Sequence, residues 1–374
     1  MSAINEQQIL DALKAVKDGD RDIVAAEMIS GLQIKDGHVA FAIEVDPARG
    51  AEMEPLRKEA EKTVHSLDGV LSVTVVLIAE TTGSGNNQAQ APAHEHHPAG
   101  TGPDAILMPG VKSIVAVASG KGGVGKSTTS VNLALALAAD GHKVGILDAD
   151  IYGPSIPRML GVTGKPSSSD GESLDPMESH GIKCMSIGFL IEEETPVIWR
   201  GPMAQTALQQ MMRDTNWGDL DILVVDMPPG TGDIQLTMAQ QVPLTGAVIV
   251  STPQDIALAD ARRGLNMFRK VDVPVFGIVE NMSYFSCPHC GERSEIFSHG
   301  GARAEAELLN MDFLGEIPLA IDIRETSDNG NPIVISQPES DHAKAYRAIA
   351  TEVWNKVVKS KESGEADAPR IVVQ

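Results

Sequence analysis

One eight-residue stretch limits what this chain can fold into more than any other feature. Gly120-Lys-Gly-Gly-Val-Gly-Lys-Ser127 fits the pattern G-x-x-x-x-G-K-[ST], with an apolar run at 113–118 before it and a helix-forming run at 126–139 after it. Strand, glycine-rich turn and helix in that order bring backbone N–H groups and the positive end of a helix to one point, which suits a polyphosphate. Gly120, Gly122, Gly123 and Gly125 let the backbone of the loop, Lys121 and Val124 included, turn its N–H groups toward phosphate oxygens. Lys126 is placed to reach the β- and γ-phosphates, Ser127 to ligate Mg²⁺ and Thr128 to contact the α-phosphate.

Two further strand ends carry carboxylates. Ile222-Leu-Val-Val-Asp226 is an apolar strand ending in Asp, the Walker B form that sets a carboxylate near Mg²⁺. It runs on through Met227-Pro-Pro-Gly-Thr-Gly-Asp233, whose glycines permit movement near a γ-phosphate. Val144-Gly-Ile-Leu-Asp148-Ala-Asp150 repeats the pattern, and Asp148 or Asp150 is expected to orient an attacking water or support Mg²⁺.

Around these motifs, strands at 113–118, 144–147, 222–225, 247–250 and 275–279 alternate with helices at 126–139, 203–212 and 257–269. That alternation predicts an α/β fold, a P-loop NTPase with a mostly parallel sheet covered by helices on both faces. The first 80 residues read as a separate small α+β domain. There, Ile9, Leu10, Leu13 and Val16 recur at helical spacing, and Val39, Phe41, Ile43 and Val45 alternate as one face of a strand. Residues 81–110, rich in Gly, Ser, Asn, Ala and Pro, read as a flexible linker, and His94, His96 and His97 within it as solvated rather than metal-binding. The ATPase domain is expected over 111–360 and a disordered tail over 361–374.

A net charge of −21, from 30 Lys plus Arg against 51 Asp plus Glu, argues against nucleic acid and against an anionic membrane as partners. No apolar run is long enough to span a bilayer. The first residues lack a basic region followed by an apolar stretch, and three cysteines are too few for a disulfide framework, so a reducing, cytoplasmic setting is expected.

Two of those cysteines form Cys287-Pro-His-Cys290, and the third, Cys184, lies in an apolar strand-like segment that suits packing. One C-x-x-C pair supplies half of the ligands that a [4Fe–4S] cluster or a closed zinc site takes, and the missing two come most simply from a second subunit. A thioredoxin-like redox pair, a zinc clasp across a dimer and a bridging iron–sulfur cluster are the competing readings at this point.

Lys121, next to the first glycine, makes the loop K-G-G-V-G-K-S-T. This resembles the deviant Walker A class of dimerising ATPases that includes MinD, ParA and the nitrogenase iron protein. The resemblance implies that Lys121 reaches across a homodimer interface to the partner's ATP, that Asp150 is the switch I carboxylate and that Asp226 begins switch II. It also implies that Asn281, in Val279-Glu-Asn-Met282, reads the adenine. From 112 to about 359 the chain resembles the Mrp/ApbC family of iron–sulfur cluster carriers, on five stretches: the P-loop, Asp148-Ala-Asp-Ile-Tyr-Gly-Pro-Ser155, Trp199-Arg-Gly-Pro-Met203, 226–233 and the C-P-x-C pair.

That likeness implies a slow ATPase that binds a cluster, [4Fe–4S] favoured, between two chains through Cys287 and Cys290. Apo iron–sulfur clients and cluster-assembly scaffolds are the implied partners. The first 80 residues resemble a small domain often fused to such carriers. Relatives of that domain can carry a cysteine in the loop after the second strand; here it reads Asp46-Pro-Ala-Arg-Gly-Ala51 and has none. The rival reading is a positioning or partitioning ATPase with a structural zinc clasp.

Overall fold

The computed structural model describes residues 6–18, 21–26, 28–35, 38–45, 53–67, 70, 72–79, 108–169, 173–190 and 201–362. The chain divides into two units, Met1–Ala93 and His94–Gln374. His94, His96 and His97, the Asp46–Ala51 loop, Trp199 and Arg200 and the last twelve residues lie outside the described set.

The first unit orders α1 (Glu6–Leu13), β1 (Lys17–Asp18), β2 (Arg21–Asp22), β3 (Ile29–Lys35), β4 (His38–Val45), α2 (Glu54–His65) and β5 (Ser72–Ala79). β3 pairs antiparallel with β4, and β4 pairs parallel with β5, giving a small mixed sheet. The alternation in the sequence decides which face is buried: Val39, Phe41, Ile43 and Val45 pack with Val73 and Val75 against Ile9 and Leu13 of α1 and Leu56, Ala60 and Val64 of α2. β3 is not legible in the periodicity, because Gly31 and a register shift against β4 interrupt its alternation.

The second unit runs β6 (Ile114–Ala118), α3 (Lys126–Ala139), β7 (Val144–Asp148), α4 (Ile156–Met159), β8 (Met177–Ser179), β9 (Ile182–Ser186), α5 (Gly201–Arg213), β10 (Ile222–Asp226) and α6 (Asp233–Gln241). It continues through β11 (Gly246–Ser251), α7 (Asp255–Lys270), β12 (Val275–Ser286), β13 (Arg293–Ser294), α8 (Gly301–Leu308), β14 (Phe313–Leu319), α9 (Ile321–Asp328), α10 (Ile333–Ser336) and α11 (Asp341–Glu362). The main strand order is β13-β12-β11-β6-β10-β7-β9-β8, with β14 also on β12; only β8 and β13 run antiparallel to their neighbours. Every residue of β6, β7, β10 and β11 is buried. Since successive side chains point to opposite faces, both faces of the sheet are covered.

Three boundaries differ from the sequence reading. Residues 108–110, assigned to the linker, belong to the large unit: Met108 is in its core, and a Cβ on Gly110 would sit 2.4 Å from the Gly218 carbonyl oxygen. Lys361 and Glu362, assigned to the tail, complete α11, whose apolar stripe includes Tyr346, Ile349 and Val353. β12 runs seven residues past Val279, because β14 and β13 hydrogen-bond its polar second half and sustain a strand that the apolar pattern alone would end.

Candidate nucleotide and cysteine sites

The parallel register sets the phosphate site. Asp226 is aligned with Val117 on one side and Asp148 on the other, so β6, β10 and β7 end together with the loop 119–125 beside two carboxylates. Gly123 and Gly125 take φ of 82° and 83°, the left-handed region a glycine occupies at little cost. Gly120 has a different reason: a Cβ there would lie 2.1 Å from the Asp260 carbonyl of α7. Lys126 opens α3 and is 6% exposed, with Nζ 2.8 Å from Asp226 Oδ2 and 3.8 Å from Asp150 Oδ2. Ser127 Oγ donates to Asp226 Oδ2 at 2.6 Å.

Two residues of this site were not singled out in the sequence. Ser130 Oγ donates to Asp226 Oδ1 at 2.6 Å. It lies three residues beyond Ser127, hence on the same face of α3, and that spacing was the available signal. Gln235 donates its amide to the Pro228 and Pro229 carbonyls, and Gly230 N donates to Ser119 O at 2.9 Å. The 227–232 loop is therefore tied directly to the phosphate loop.

The geometry separates the two candidate aspartates. Asp148 is fully buried and accepts from the N–H groups of Asp150, Ser155 and Ile156 and from Ser186 Oγ, so its carboxylate joins the loop after β7 to β9. Burial pushes its carboxyl up from the usual range, and the neighbouring Asp226 carboxylate adds to this. Asp150 instead faces Lys126; burial raises its carboxyl as well, against the opposing pull of that lysine. Thr128 Oγ1 lies 3.9 Å from Met159 Sδ, and the Lys121 side chain is exposed. Asn281 spends one amide N–H on the Val124 carbonyl at 2.8 Å, holding the phosphate loop from below.

The residues present fit Mg²⁺. Ser127 and Asp226 offer hard oxygen donors, and Lys126 stands between the Asp226 and Asp150 carboxylates at one end of the loop.

Cys287 and Cys290 sit at the tip of the β12–β13 hairpin. Cys287 N donates to Glu292 O and Gly291 N donates to Cys287 O, closing a tight turn. The N–H groups of His289 and then Cys290, together with the Cys290 thiol, hold the Cys287 thiol below its ordinary range. Cys184 differs in every respect: it is fully buried on β9, and burial pushes its thiol up to about 12. β9 is five strands from β12 in the sheet order, about 24 Å at normal strand spacing.

A parallel sheet whose β6–α3 turn carries the phosphate loop, with Asp226 at the neighbouring strand end, defines a P-loop NTPase. The chain belongs to the ParA family described as NUBPL iron-transfer P-loop NTPase, which matches residues 110–354, and an iron–sulfur cluster assembly protein family matches 6–75. It is similar to the iron–sulfur cluster carrier protein of Synechocystis, 47% identical over 356 residues, covering 93% of this chain and 97% of that one. It is 52% identical to the iron–sulfur cluster transfer protein NUBPL of Dictyostelium discoideum, over 72% of this chain and 84% of that one. Among solved structures, the nucleotide-binding protein of Archaeoglobus fulgidus in complex with ADP superposes with a TM-score of 0.56 at 42% identity, covering 63% of this chain and 92% of that one. Among the described residues no helix is long and apolar enough to cross a membrane.

Proposed function

We propose that this chain is an ATP-hydrolysing iron–sulfur cluster carrier: two copies hold one cluster, [4Fe–4S], between their Cys287–Cys290 pairs and transfer it to apo-proteins in the cytoplasm. The observation that carries this reading is the isolation of the pair. The chain has three cysteines, and the third is buried five strands away, so two thiolates are all that one chain offers at the hairpin. A second copy supplies the other two, and the exposed Lys121 beside the phosphate loop suits a contact with that copy's nucleotide. The names of the relatives point to the same cargo.

In this reading ATP enters the loop 120–127, and Lys126 exchanges its Asp226 partner for the β- and γ-phosphates. Ser127 and Asp226 would hold Mg²⁺, whose charge would offset that of the phosphates. Asp150 orients the attacking water, while Asp148 keeps the loop that carries it in place. Loss of the γ-phosphate is felt by the 227–232 loop through Gly230 and Ser119. Asn281 positions the loop and offers the rest of its amide to the base. On the same strand, β12 leads from Asn281 to the root of the cysteine hairpin, so nucleotide state and hairpin position share one element.

Anaerobic reconstitution with iron and sulfide tests the proposal. Wild type should take up about four irons per two chains, with visible charge-transfer absorption, and C287S/C290S should take up none. Zinc held by wild type with no iron uptake would leave a dimeric ATPase with a structural clasp.

A further inference from the structure

We infer that Glu280, Ser283, Arg293, His299 and Glu316 form a site for a divalent first-row cation, separate from the cysteine pair, with His299 Nε2 and the Glu316 carboxylate as direct ligands. The argument begins with a buried acid. Glu280 on β12 is fully buried and accepts from Gly300 N and Ala302 N at the start of α8, and from Ser283 Oγ at 2.5 Å. Ser283 has one proton, and Glu280 lies nearer to it than Glu316, which is at 3.5 Å. The same serine oxygen lies 2.9 Å from His299 Nδ1, so it links the imidazole to Glu280. With Nδ1 turned toward the serine and the buried acid behind it, Nε2 is the nitrogen on the Glu316 side.

A histidine whose second nitrogen is tied back to a carboxylate is the usual setting of a metal-bound imidazole. His299 Nε2 lies 3.8 Å from Glu316 Oε2. Ligands about 2.0–2.2 Å from a metal can be that far apart across it, so one cation bridges both without backbone movement. Ligand atoms of Glu280, His299 and Glu316 all lie within 4.8 Å of one another. Three of the roughly four acceptor positions of Glu280 are filled, so it acts mainly from behind the imidazole. His299 and Glu316 are 30% and 31% exposed, open to an entering ion.

A positive charge already stands there. Arg293 Nη2 is 3.0 Å from each imidazole nitrogen and 4.0 Å from Glu316 Oε1, with the guanidinium 3.8 Å over the Tyr284 ring. The guanidinium charge stands against both imidazole nitrogens, where an arriving cation would have to compete with it. Nitrogen and oxygen donors select Zn²⁺, Co²⁺ or Fe²⁺ differently from a thiolate pair. The location gives the exchange a consequence. Arg293 pairs with Ser286 on the β12–β13 ladder, and Ser286 precedes Cys287, so the side chain a cation would displace is rooted at the base of the cysteine hairpin.

The test uses the full chain as C287S/C290S, titrated anaerobically with Co²⁺ alone in about 0.15 M salt, where non-specific attraction to an acidic surface is screened. We expect one Co²⁺ per chain, with weak d–d absorption and no thiolate charge-transfer band. H299A and E316Q should each abolish it, and S283A should weaken it about tenfold or more. R293Q should bind about tenfold more tightly, by loss of the competing charge; misfolding cannot imitate a gain. No Co²⁺ on C287S/C290S, unchanged affinity in R293Q, or binding that survives H299A and tracks His94, His96 and His97 instead would each overturn the site. None of these outcomes bears on whether the cysteine pair carries a cluster.

Discussion

At the phosphate loop Lys126 is 6% exposed and Asp226 fully buried, and two serines of one helix face bond the same carboxylate. At the cysteine hairpin Cys290 is exposed, Cys287 is partly so, and the supporting strand β13 is two residues long. The first site draws these groups from one chain and ties them to one another. The second presents two thiols on a short hairpin, half of the ligand set of the proposed cluster. The contrast suits what each site is proposed to bind. Phosphates are recognised by a fixed array of donors, whereas the proposed cluster, which must be released, is better held by few ligands on a small support.

The comparison breaks first at Lys126. K126A removes the proposed phosphate contact and leaves the buried Asp226 without its cation, so hydrolysis should be lost and folding stability should fall by about 3–5 kcal/mol, read by denaturant melts. Hydrolysis and nucleotide-dependent client activation at wild-type rates in K126A would show that the loop is not the engine.

A smaller effect separates two glycines with the same backbone angle. In G125A the new Cβ would lie 2.0 Å from Asn281 Nδ2, displacing the side chain that holds the loop, and nucleotide binding should disappear. In G123A nothing lies within 4 Å, so only the left-handed strain of about 1–2 kcal/mol is expected, with binding retained. Equal losses in calorimetric titrations with ATP would mean that Asn281 is not the latch.

The hairpin is sharpened by thiol labelling of the cluster-free chain. Cys287, held below the ordinary thiol range by neighbouring N–H groups, should react with iodoacetamide fastest and at the lowest pH. Cys184, buried and pushed up to about 12, should react only on unfolding. Peptide mapping that finds Cys184 modified in the native chain would remove the ground for treating the pair as isolated.

The sequence made the phosphate loop, Asp226 and the C-x-x-C pair legible because each is a local pattern with fixed spacing. What it could not separate was Asp148 from Asp150, two residues apart, since their difference lies in donors from the loop after β7 and from Ser186 on β9. The His299 site was invisible for the same reason: its groups come from β12, β13, β14 and the segment before α8, and only the sheet brings them together. The second half of β12 was hidden differently. Its polar residues break the apolar pattern, and Met282, at φ 54°, marks the bulge where the register with β14 shifts.

The most direct test of the shared cluster is native mass spectrometry of the anaerobically reconstituted protein. The account predicts a species of two chains carrying one cluster of about four irons and four sulfides, which collapses to metal-free protein in C287S/C290S. A single chain carrying the whole cluster, or a dimer whose cluster survives loss of both cysteines, would contradict it.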